Sequence, residues 1–139
     1  MLRGKKGAYL LVVELEGELE RWGLKGGIYA YVGSAWGPGG LLARVKRHLT
    51  KSFERPKWHV DYLTSKGRPL AAFLFPCVKE EELYELVSKH FKPAAEGFGS
   101  TDTKHKTHLF VFERSELPRL LAAARSLRKT SQTSRHECT

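Results

Sequence analysis

Apolar residues fall along this chain in runs of two different periods. Gly7–Leu15, GAYLLVVEL, is almost continuously apolar and rich in β-branched and aromatic residues, which predicts a central strand. Gly27–Ser34 predicts a second strand, and its Tyr29 and Tyr31, two residues apart, share a face. A hairpin between the two is the economical pairing. The connection Gly17–Gly26 carries solvated glutamates and a Trp22 that folds back on the core. Past the turn SAWGPGG the period becomes helical: Leu41, Leu42, Val45 and Leu49 mark an apolar stripe over about Gly40 to Ser52. Arg44, Arg47, His48 and Lys51, at i, i+3, i+4 and i+7, form a basic face on the other side.

The segment Trp58–Leu63 fits a strand or a short helix equally well. Leu70–Phe75 predicts a third strand, and Lys79–Phe91 a helix with Leu83, Leu86, Val87 and His90 facing inward. The polar loop STDTKHKT leads to a compact strand, His108–Phe112, and then to a helix over Leu117–Leu127 with Arg119, Arg125 and Arg128 outside. Lys129–Thr139 has no apolar period and reads as a frayed tail. The expected fold class is α+β: a small, mostly antiparallel β-sheet built from strands near Ala8, Ala30, Ala72 and Phe110, flanked by helices. Residues 1–114 form the domain, 115–129 a C-terminal helix packed on it, and 130–139 a polar tail.

Composition changes the picture only through charge. With 24 Lys+Arg against 15 Asp+Glu the formal charge is +9, an excess that favours a polyanionic partner, nucleic acid first. Two cysteines make no disulfide framework; Cys77 follows an apolar run and is expected as a buried thiol, Cys138 as part of the polar tail. Met1–Lys6 is charged and no run approaches the ~20 apolar residues of a membrane helix, so no signal peptide, no membrane and a cytoplasmic location are expected.

Four phrases in order carry a resemblance. YAYVGSAWGPGGL, ARVKRHL, WHVDYL and GFGSTDTKHKTHLF, with Gly7-Ala8-Tyr9 ahead of them, resemble the successive motifs of the GIY-YIG nucleases. The closer likeness is to the small, mainly archaeal branch of unknown function, some of whose members are fused to endonuclease III-like glycosylases. The literal Gly27-Ile28-Tyr29 shares a strand with Tyr31-Val32-Gly33, so the first motif is better placed at Gly7-Ala8-Tyr9 on the neighbouring strand. One YVG would be weak; four phrases spanning Gly7 to Phe112 are specific.

The resemblance implies metal-dependent hydrolysis of a phosphodiester in DNA, in repair or recombination, at a single Mg²⁺ or Mn²⁺. Tyr9 and Tyr31 would act near the attacking water, Arg44 on the phosphate, and a glutamate opening the later helix, Glu80 or Glu82, on the metal. His48, one turn after Arg44, could share the phosphate or pass a proton as neutral imidazole. A free tyrosine, with a pKa of about 10, is a poor base unless cations stabilise its phenolate; Lys5, Lys6, Lys46 and Arg44 are the candidates. Lys46, Arg47 and Lys51 would bind the strand, and His59 and Asp61 help to position the basic helix. Where relatives carry cysteines, this chain has Thr103 and His105, so no structural zinc is expected. Of the loop's two histidines, His105 is expected at the surface and His108 in the core. The rival reading is a nucleic-acid-binding module or repair accessory without efficient catalysis.

Overall fold

A computed structural model of the protein describes residues 4–50, 59–100 and 105–131. Strand β1 (Gly7–Leu15) is central, and both of its neighbours run antiparallel to it. The hairpin partner β2 (Gly27–Ala35) is in register from Gly7 opposite Ala35 to Leu15 opposite Gly27. On the other side β3 (Arg68–Pro76) pairs with one irregularity at Val12/Val13. Two short strands, β4 (Lys92–Pro93) and β5 (Leu109–Val111), complete an antiparallel sheet of order β3-β1-β2-β5-β4. The helices are α1 (Gly40–Thr50), α2 (His59–Lys66), α3 (Glu80–His90) and α4 (Leu117–Ser131). This is the expected α+β architecture, with β4 as an unforeseen edge.

The sheet is covered on both faces, which explains why β1 reads as continuously apolar. Tyr9, Leu11, Val13 and Leu15 point to one side with Tyr29 and Tyr31, against Leu41 and Val45 of α1 and Val60 and Leu63 of α2. Ala8 and Leu10 point to the other with Ala30, Val32 and Phe110, against Leu83, Val87, Leu120 and Ala124 of α3 and α4. Leu10 and Leu11 are both wholly buried, on opposite faces. Each such leucine contributes about 1.5–3 kcal/mol.

Several expectations are corrected. The inward stripe of α1 is Leu41, Val45 and His48, whereas Leu42 and Leu49 are 42% and 52% exposed. The helix is turned because His48 makes a buried hydrogen bond to the sheet, as described below. The segment that fits a strand or a helix is helical over His59–Lys66, so His59 and Asp61, two residues apart, point in different directions. His90 sits at the margin of α3, with Nδ1 3.0 Å from Glu116 Oε1, instead of in its apolar stripe. Helix α4 extends to Ser131, so the first residues of the expected tail are helical; residues 132–139 lie outside the described ones. Cys77 is half-buried at the turn after β3, with a φ of 66°, and is disulfide-bonded instead of a free buried thiol. Among the described residues no helix is long and apolar enough to cross a membrane.

Candidate active site

The site is built around Tyr9, which reaches His48 across the first core layer. Tyr9 Oη and His48 Nε2 are 2.6 Å apart, and the imidazole tautomer decides which of them donates. Gly33, opposite Tyr9 in the β1–β2 register, makes room for the phenol: a Cβ there would collide with the ring carbon Cζ and the hydroxyl. A glycine in mid-strand marks such a close approach. Gly40 serves the helix in the same way. Its φ of 67° turns the chain into α1, and a Cβ would strike the Lys5 carbonyl. That carbonyl accepts from Leu41 N–H at 2.7 Å, so the start of α1 is tied to the chain just ahead of β1.

Tyr31, the next residue but one from Gly33, lies beside the pair. Its ring centroid is 6.2 Å from Tyr9 and 6.4 Å from His48. Tyr9 is 1% exposed and His48 0%. Burial holds the Tyr9 phenol well above its usual pKa, and Tyr31, Glu80 and Asp61 push the same way against the opposing charge of Arg44. Burial is also the main reason that His48 falls to about 4, with Arg44 and Arg47 adding to it and Asp61 opposing. Both groups are therefore neutral at neutral pH. Of the cations expected to stabilise a Tyr9 phenolate, Arg44 acts in that direction, against the larger effect of burial, while Lys6 Nζ donates to the Gly37 carbonyl at 2.9 Å and Lys46 is exposed.

Gly33→Ala tests this seat for Tyr9. The added methyl must push the phenol off His48, and overpacking of this kind costs about 1–3 kcal/mol. The melting temperature should fall, and the Tyr9 hydroxyl signal in an NMR spectrum should lose its strong hydrogen-bond shift. An unchanged melting curve would mean that the ring has another place to go.

The cations of α1 divide into different roles. Arg44, half-buried, is near Tyr9 and His48 electrostatically and reaches toward the turn at Gly37. Arg47, expected on the nucleic acid, instead puts Nη2 2.7 Å from Oδ2 of the wholly buried Asp61. This pair joins α1 to α2, the positioning role expected of Asp61. His59 does not share it, since its Nδ1 accepts from Gly99 N–H at 2.8 Å. Lys46 remains on the open face, and Lys51 lies outside the described residues.

The structure also separates the two glutamates. Glu82 Oε1 accepts the N–H of Lys79 at 3.1 Å, closing the capping box of α3. Glu80, 25% exposed, has Oε1 3.6 Å from Nδ1 of the buried His108, and its charge acts on Tyr9. His108 Nε2 is in turn 2.8 Å from His105 Nδ1, and His105 stacks on Tyr84 with centroids 3.7 Å apart. So His108 is in the core as expected, while His105 is half-buried and belongs to the same chain of contacts.

The family model described as "Domain of unknown function DUF123" matches residues 9–130. The chain belongs to the DUF123 family. No curated protein and no solved structure matches it. In this DUF123 chain Tyr9, Tyr31 and His48 meet from three elements and the charges of Arg44 and Glu80 act on Tyr9, whereas Arg47 and Glu82 are engaged in holding helices. Among the described residues no group of three or more His, Cys, Asp or Glu side chains could hold a metal ion. A cation here would take Glu80 as its protein ligand and complete its shell with water and phosphate, the usual habit of Mg²⁺. Gly33 was absent from the residues expected to shape the site, although its place in mid-strand is a readable signal.

Proposed function

We propose that this DUF123 domain is a GIY-YIG-type endonuclease that hydrolyses phosphodiester bonds in DNA with one bound Mg²⁺ or Mn²⁺. The observation that carries the reading is the buried Tyr9–His48 pair with Arg44 and Glu80 acting on the same phenol. Arg44 presents a planar fork suited to phosphate oxygens and keeps its charge throughout. Such a charge is worth most where negative charge builds up in the transition state. Glu80 would hold the cation, which when bound supplies a Lewis acid and lowers the pKa of a water. Because Tyr9 and His48 are both neutral, the phenol oxygen serves as a relay. In the tautomer with the imidazole proton on Nδ1, it would take a proton from the attacking water as its own passes to His48 Nε2, while the new P–O bond forms and the P–O bond to the leaving strand oxygen breaks. The preference for DNA, and a role in repair or recombination, rest on the GIY-YIG resemblance.

One observation favours a second reading, a nucleic-acid-binding module without turnover: Tyr9 is nearly inaccessible. The deciding experiment is cleavage of labelled single-stranded, duplex, flap and branched DNA, with matching RNA, in Mg²⁺, Mn²⁺ or EDTA. Turnover that requires the divalent cation is expected. Tight, salt-sensitive binding with no product in any metal would establish the binding module instead.

A further inference from the structure

Between β1 and β2 lies a short 3₁₀ turn, Glu20–Trp22, whose side chains form a cluster apart from the Tyr9 site. The Arg21 guanidinium carbon is 4.7 Å from the Trp22 ring centroid and 4.8 Å from that of Tyr62. The two rings are tilted by 59° with centroids 5.5 Å apart, so the guanidinium lies in the mouth of a V. The V is itself fixed: Phe98 meets Trp22 edge-on at 4.8 Å, and His59 is 5.1 Å away. Burial, and then the Arg21 charge, keep His59 below its ordinary pKa, so Arg21 is the standing charge here. Arg21 is exposed, and among the described residues its guanidinium makes no ion pair or hydrogen bond. It is an exposed cation packed against two aromatic rings. Phe98 links the cluster to the candidate site, 6.1 Å from the Tyr31 ring.

We propose that Arg21, clamped by Trp22 and Tyr62, is a second phosphate contact, gripping the backbone of the nucleic-acid strand at a nucleotide flanking the Tyr9–Arg44 site. This rests on the nucleic-acid reading above. The rings restrain the long side chain before binding, so less freedom is lost when the fork closes on phosphate oxygens. The +9 charge of the chain favours a polyanion, and the contact reads no base, so it is indifferent to sequence.

The test is binding of fluorescent duplex and single-stranded DNA over a range of salt, without divalent cation. Arg21→Ala should weaken binding equally across sequences. It should also reduce the slope of log K against log salt by about 0.9 on duplex and about 0.7 on single strands, the value of one phosphate contact. Arg119→Ala, which removes an equal charge from the exposed side of α4, should leave the slope unchanged. Tyr62→Leu keeps the cation but opens the clamp and should give an intermediate loss of affinity, with circular dichroism checking the fold. If wild type binds DNA and Arg21→Ala binds it with the same slope, this inference fails alone. If wild type binds no nucleic acid, the broader reading fails and takes this one with it. Equal weakening of binding to a polyglutamate of matched charge would mark a general anion patch and overturn the assignment.

Discussion

Glu80→Gln is expected to reduce divalent-dependent cleavage by about 10²–10³-fold, the usual scale for removing one preorganised electrostatic group from a reacting centre. Glu82→Gln is expected to leave the rate within about twofold and to cost about 0.3–1 kcal/mol of stability, because the amide oxygen still accepts the Lys79 N–H and only the negative charge at the helix N-terminus is lost. The contrast follows from two neighbours on one helical turn. Glu82 is committed to the N–H of Lys79, whereas Glu80 turns toward His108 and acts on the Tyr9 phenol. Glutamine keeps the shape of Glu80 and removes its charge, so α3 should remain folded. Single-turnover rates at rising Mg²⁺ separate the possibilities. A ligand variant needs far more cation for half-saturation, and a merely structural variant does not. Full activity in Glu80→Gln, with loss in Glu82→Gln, would reverse the assignment.

The sheet was legible in the sequence because burial on both faces leaves no ambiguity of period: Leu10 and Leu11 are adjacent, apolar and wholly buried on opposite sides. Helix α1 was located correctly and rotated wrongly. Periodicity assigns a histidine between two cations to the solvated face, and only a partner 39 residues away, the Tyr9 hydroxyl, brings His48 inside. The displaced leucines, Leu42 and Leu49, then face solvent. Glu80 and Glu82 were inseparable for a similar reason. Both suit the first turn of a helix, and what sets them apart is a cap at Lys79 and a histidine from the loop before β5. Side chains that answer to tertiary partners leave no local signal, and here those are the residues nearest the candidate chemistry.

Arg47 provides the other large effect, and it belongs to stability. Arg47→Ala is expected to destabilise the fold by about 3–5 kcal/mol, because it strips the arginine from a carboxylate that is taken wholly out of water. Asp61 is 0% exposed while the Arg47 side chain keeps 21%, so the carboxylate bears most of the desolvation and suffers most from the loss. The same substitution at a surface arginine in direct contact with DNA would weaken binding and leave the melting temperature unchanged. The two outcomes are therefore distinct. Asp61→Asn should be milder than Arg47→Ala, since it removes the buried charge along with the attraction and keeps an oxygen to accept from the guanidinium. Denaturant titration of the two single variants and the double variant measures this. Arg47→Ala with Asp61→Asn should recover part of the loss, because no charge is then left stranded between α1 and α2. Strictly additive losses would show that the two residues do not act as a pair, and Arg47 would return to the nucleic-acid face. Since α1 carries both Arg44 and His48, a chain that loses this tie should also lose the hydrogen bond from α1 to Tyr9 at lower denaturant than it loses the sheet.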